Sequence, residues 1–196
     1  MGENTVTEWA VLNEAHAALR NVVRGLTAED LGRPTPCAEW TVAQVIQHAA
    51  GDQVAYAAFL TGGPGPDENP FAPSGTLAES AEVTIERAMA AAAAAWATVP
   101  AATEEVSVPI PPNKLTAELG VGACALDAAV HAWDLAVASG QPSPLTPELA
   151  RRLLPVAHVL ADPLRGFAFA EALRGNDSGD PDALLRYLGR DPRWRA

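Results

Sequence analysis

Four long stretches of this sequence carry apolar side chains at helical spacing, and each is closed by glycine or proline. That pattern leaves little room for a sheet. Trp9, Leu12, His16, Leu19 and Val23 recur at spacings of 3, 4, 3 and 4. They form one stripe of a helix over residues 5–24, with Gly25 as its stop. Thr41 and Gln44 make a T-x-x-Q capping box that opens a second helix over residues 42–60. Its inward arc is Val42, Val45, Ile46, Ala49, Gln53, Tyr56 and Leu60. A third, alanine-rich helix covers residues 77–99. The fourth spans residues 116–139, with Gly140 just beyond. Residues 147–161 read as a fifth helix, interrupted or bent at Pro155, and residues 181–188 as a short terminal one. Between these, residues 61–75 are rich in glycine and proline, long enough for a lid or a crossover. Residues 100–115 hold four prolines and an alternating stretch, read as extended with a short strand. The expectation is an all-α chain: one domain over residues 1–196, a four-helix bundle with a long crossover and a short C-terminal extension.

Composition narrows the function. With 196 residues, 48% of them hydrophobic, the chain can bury a core. Its net charge is -11, and Lys114 is the single lysine. No basic surface is available for nucleic acid or for an anionic membrane. The start MGENTVTEWA lacks the charged and apolar regions of a secretory signal. Two cysteines, Cys37 and Cys124, do not make a disulfide framework; reduced thiols in a cytoplasmic protein are the plain reading.

The chemistry-bearing residues gather on the fourth helix. Asp127 and His131 are four apart and share a face, and Asp134 lies three further along it. Cys124 falls near the same edge. The group flanks the apolar stripe of Leu119, Leu126, Val130, Trp133 and Val137. A carboxylate and an imidazole at this spacing can hold one divalent ion from the same side. A third donor must come from another element, and His48, at the border of the second helix's buried arc, is the candidate. Two histidines and one carboxylate leave a position open, as in catalytic sites. The plain alternative is a local Asp127–His131 hydrogen bond worth a few tenths of a kcal/mol.

Other residues have two readings each. Cys37 and Trp40 either pack the entry to the second helix or stand near the ion; nothing in the sequence lowers the thiol pKa, which favours packing. Asp134 either orients a ligand histidine or bonds locally. Asp52, four after His48, reads as solvated polarity, with support of that ring as the alternative. His16 reads as a satisfied inward histidine that could line a pocket, and Cys124 as packing with the same option. His158 has no visible link to the group. Arg190 is expected to pair with a carboxylate and fasten the tail, with a pocket role as the alternative.

The segments LTAEDLGRPTPCAEWTVAQVIQHAAG, DAAVHAWDLAVASGQP and LLRYLGRDP resemble an actinobacterial metal-binding family. That family is grouped with DinB-like proteins and with the N-terminal domain of mycothiol-dependent maleylpyruvate isomerase. The resemblance runs from the first helix to GRDP. It implies a four-helix bundle of DinB-like type and a divalent metal, zinc first and nickel as the alternative. It also implies ligands from one histidine on the second helix and a pair four apart on a later one. These positions match His48, Asp127 and His131. The pair is E-x-x-x-H in the isomerase and often H-x-x-x-H in DinB-like relatives; Asp127 shortens the reach by one methylene. The isomerase carries a further C-terminal domain, whereas 56 of the 196 residues follow Gly140 here. The implied activity is a thiol-dependent transferase or isomerase acting on a small molecule, with mycothiol as the thiol. Two other readings stay open: a non-catalytic protein binding metal or a small ligand, and a self-associating module forming a homodimer.

Overall fold

The computed structural model describes residues 8–37, 40–175 and 181–195. Among these, six α-helices dominate: α1 (Ala10–Arg24), α2 (Val42–Thr61), α3 (Ala81–Ala97), α4 (Ala117–Ala138), α5 (Pro147–Leu160) and α6 (Pro181–Tyr187). A two-stranded antiparallel pair, β1 (Val106–Ser107) and β2 (Lys114–Leu115), sits between α3 and α4. The all-α architecture anticipated from the periodicity is present. Residues 5–7, assigned to the first helix from sequence, lie outside the described residues.

Helix ends follow capping chemistry. Thr41 Oγ1 accepts from the Gln44 amide while Gln44 Oε1 accepts from the Thr41 amide, completing the capping box. Ser80, Thr116 and Thr146 cap α3, α4 and α5 through their hydroxyls. Ser80 therefore starts the third helix at Ala81, four residues later than the alanine pattern implied. Pro155 lies inside α5, which continues unbroken from Pro147 to Leu160.

Contacts between helices define a ring in which α1 touches α4, α4 touches α2, α2 touches α3, and α3 returns to α1. Arg20 meets Glu86 and Arg24 meets Glu82, so α1 and α3 run antiparallel. His48 faces His131 while Gln53 bonds to Cys124, so α2 and α4 are antiparallel too. The first turns of α2 and α3 lie near each other, as do their last turns, making these two neighbours parallel. Residues 62–80 must then return the length of α2, and they are the crossover. Gln44 donates to Pro73 O at 3.1 Å, and Gln47 donates to Thr76 O at 2.7 Å, tying this segment to α2. Gly51 permits the approach: a Cβ there would meet Pro70 Cγ at 2.8 Å.

The core lies between the four helices and continues under α5. Trp96, Trp133, Tyr56, Leu12, Leu19, Ile46 and Met89 are among its largest buried side chains. α4 is buried on nearly every side, because α5 covers the face that α1 and α2 leave open. By length and composition it could cross a membrane, yet 89% of its apolar window is buried within the protein. A single stripe, as read from sequence, understates it.

Candidate metal centre

α2 and α4 carry the centre. His48, in the second turn of α2, and His131, in the middle of α4, place their rings 4.7 Å apart at an angle of 85°. Both Nε2 atoms face Asp127 Oδ1, at 3.6 Å from His48 and 3.4 Å from His131. The ligand-capable atoms of His48, Asp127 and His131 all lie within 4.8 Å of one another. The i, i+4 spacing aligns the pair on α4, and the antiparallel crossing brings His48 to meet it.

Each imidazole is held from behind. His48 Nδ1 donates to Pro70 O at 2.9 Å, a carbonyl of the crossover. His131 Nδ1 donates to Asp134 Oδ2 at 2.9 Å. Asp134 is fully buried and receives Arg190 through Nε and Nη2, both at 2.9 Å. Gly189, at a φ of 79°, adopts the left-handed turn that precedes Arg190; a Cβ there would meet Ala170 Cβ at 2.7 Å. With both Nδ1 atoms engaged, Nε2 is the nitrogen of each ring left available to a ligand.

The electrostatics are those of a crowded acid–base cluster. Burial pushes the Asp127 carboxyl up, but the two imidazoles outweigh it and hold the group well below the carboxylate range. Burial depresses His131, yet Asp127 and Asp134 outweigh that and raise it well above an ordinary histidine. Asp52 is pushed up to about 7, first by burial and then by the charge of Asp127. Burial opposes Asp134's charge, and Arg190 more than restores it.

Above this floor lies a cavity of about 370 Å³. Trp40, Phe71, Phe167, Phe169, Leu126 and Leu164 contribute to its wall, with Cys37 and Arg190 at one side. Trp40 stacks obliquely on His48 with ring centroids 4.8 Å apart, and Phe71 meets the same ring at 5.7 Å. Phe71 and Phe167, 5.2 Å apart, form the rim.

Several sequence readings are corrected here. Asp52 is not solvated polarity: its Oδ2 lies 3.8 Å from His48 Nε2, and its side chain is 14% exposed, on the cavity wall. His16 and Cys124 lie outside that wall. His16 Nε2 donates to Gln53 Oε1 at 2.8 Å, and Cys124 Sγ donates to the same oxygen at 3.2 Å. Gln53 Nε2 donates to Cys124 O. These three form a buried polar layer beneath the centre. Cys37, read as packing, does line the cavity, within 4.8 Å of His131 and Asp134 donor atoms. Burial raises its thiol pKa. The aromatic wall went unnoticed in sequence, since Phe71, Phe167 and Phe169 stand in loops without periodicity.

The donor set suits a divalent ion. Two imidazoles and one carboxylate converge, and Asp127 Oδ2 is buried with no hydrogen-bond partner among the described residues. A buried carboxylate oxygen left without a donor is costly in a closed structure, and a cation would satisfy it, as would a proton on the adjacent Asp52.

The helical bundle is an all-α fold of the DinB-like type. Within it, the sequence profile described as the mycothiol maleylpyruvate isomerase N-terminal domain matches residues 12–136, and the chain belongs to that family. The uncharacterized proteins Rv0738 and MT0763, from two strains of Mycobacterium tuberculosis, are each 34% identical over 186 residues. Those matches cover 92% of this chain and 94% of each relative. Among solved structures, the mycothiol-dependent maleylpyruvate isomerase superposes with a TM-score of 0.57 at 16% identity. A histidine-to-alanine mutant of that isomerase gives 0.55 at 15%. Each superposition covers 76% of this chain and 65% of the isomerase, and the likeness is one of fold.

Proposed function

We propose that the protein binds a divalent metal through His48, Asp127 and His131, and uses it as a thiol-dependent transferase or isomerase on a small molecule. The observation that carries this is the convergence of both Nε2 atoms on Asp127 Oδ1 at the floor of a lined cavity. When bound, the ion supplies a Lewis acid that makes a thiol ionise near neutral pH. Zinc fits the nitrogen-rich donor set, with nickel as the alternative. Family membership supports a low-molecular-weight thiol, mycothiol, as the partner, and the two free cysteines agree with a reducing cytoplasm.

The chain's own residues have definable tasks. Pro70 O and Asp134 fix the imidazole orientations, and Arg190 keeps Asp134 ionised. Trp40 and Phe71 shield the His48 ring from water. Asp52 sits where it can hold a proton beside the reacting thiol.

Metal analysis of untagged protein, beside His48→Ala and His131→Ala, tests the proposal. About one zinc per chain in the wild type and its loss in both variants is expected. Retention in either variant, or metal-free wild type after zinc loading, refutes it. A non-catalytic binding protein is the remaining reading, and it predicts ligand-dependent thermal stabilisation with no turnover.

A further inference from the structure

The cavity's charge points to what enters it beside the thiol. All thirteen Lys and Arg residues lie among the described residues. Arg190 alone of them reaches the cavity wall. Its guanidinium is committed: Nε and Nη2 grip Asp134 at 2.9 Å, and Nη1 donates to Leu188 O at 3.4 Å. The floor adds two further carboxylates, Asp52 and Asp127. A substrate carboxylate would be stripped of water here and would meet no uncommitted lysine or arginine on the wall. The remaining surface is aromatic and aliphatic, with Phe71 and Phe167 at its mouth, 46% and 69% exposed.

We infer that this cavity selects an uncharged, apolar molecule, and that it discriminates against small dicarboxylates of the maleylpyruvate kind. The inference deepens the reading above, since the molecule is the electrophile that the thiol would meet, but its recognition by the wall does not require the metal. Apolar walls with few polar groups bind by excluding water and orient the ligand through the few polar atoms at one end. Here that end is the acidic floor.

Calorimetric titration with phthalate and dimethyl phthalate tests it, because the two share one ring and differ in charge. Zinc-loaded and zinc-free protein are titrated in parallel, with zinc content measured separately. Dimethyl phthalate is expected to bind at least about tenfold more tightly than phthalate in both forms. Phthalate binding equal to or tighter than the diester, or no measurable diester binding, overturns the inference. Ile110→Arg, which places an uncommitted cation on the wall, is expected to shrink or invert the preference; an unchanged preference in that folded variant also overturns it. Should zinc fail to bind while the diester preference holds, the metal proposal falls and this one stands.

Discussion

Arg190 clasps Asp134 through two parallel hydrogen bonds of 2.9 Å across fifty-six positions of sequence, and the same carboxylate oxygen accepts from His131. The C-terminal segment thus reaches the imidazole through one buried carboxylate. Bidentate arginine–carboxylate pairing is both strong and directional, so it fixes the plane of Asp134 and through it the ring of His131.

Arg190→Met should leave Asp134 buried without its cation. The expected loss is about 3 kcal/mol or more of stability in urea unfolding, since a buried charge is stranded. Zinc affinity should fall about 10-fold to 100-fold, because a supporting partner of a ligand histidine is lost. A competition assay with a chromogenic chelator measures the second effect.

Metal uptake should release a proton. In the metal-free protein Asp127 and Asp134 raise His131 above an ordinary histidine, so its imidazole holds its proton to higher pH. Coordination needs the neutral ring, and one proton must leave for each ion bound. Apparent affinity should therefore rise about tenfold per pH unit from pH 6 upward, levelling off once pH exceeds the raised value. Calorimetry in two buffers of different ionisation enthalpy counts the proton directly.

Gln53→Leu should destabilise without emptying the site. The variant removes the partner of His16 Nε2 and of the Cys124 thiol, both buried, while Cys124 O keeps its helical bond within α4. A cost of about 1–3 kcal/mol is expected, with zinc content unchanged. Thermal unfolding beside metal analysis separates the two.

Gly51→Ala should press on the crossover. The new methyl would lie 2.8 Å from Pro70 Cγ, inside contact distance, so the segment must move away. Overpacking of this kind costs about 1–3 kcal/mol. Since Pro70 O also holds His48, zinc affinity should drop alongside stability.

Much of the bundle was readable because helical period and capping are local properties. Thr41 and Gln44 announce their helix within four residues, and Asp127 and His131 share a face by spacing alone. What resisted reading depends on partners distant in sequence. The fourth helix looked one-sided until α5 supplied its second neighbour. Asp52 has the composition of a surface residue and is enclosed beside Asp127 and His48 instead. Gln53 looked like a blemish in an apolar arc, yet it binds two other buried polar groups. His48 could be nominated from its place on an arc and from family resemblance, but its distance to Asp127 depends on how α2 crosses α4. The phenylalanines of the wall, Phe71, Phe167 and Phe169, left no trace in sequence, as loop residues obey no repeat.

Pro70 has two duties: its ring rests on Gly51, and its carbonyl steadies His48. Neither can change alone. A substitution that displaces the Pro70 ring from α2 therefore also displaces the carbonyl that orients His48, so the seating of the crossover and the aim of the imidazole are set by one residue.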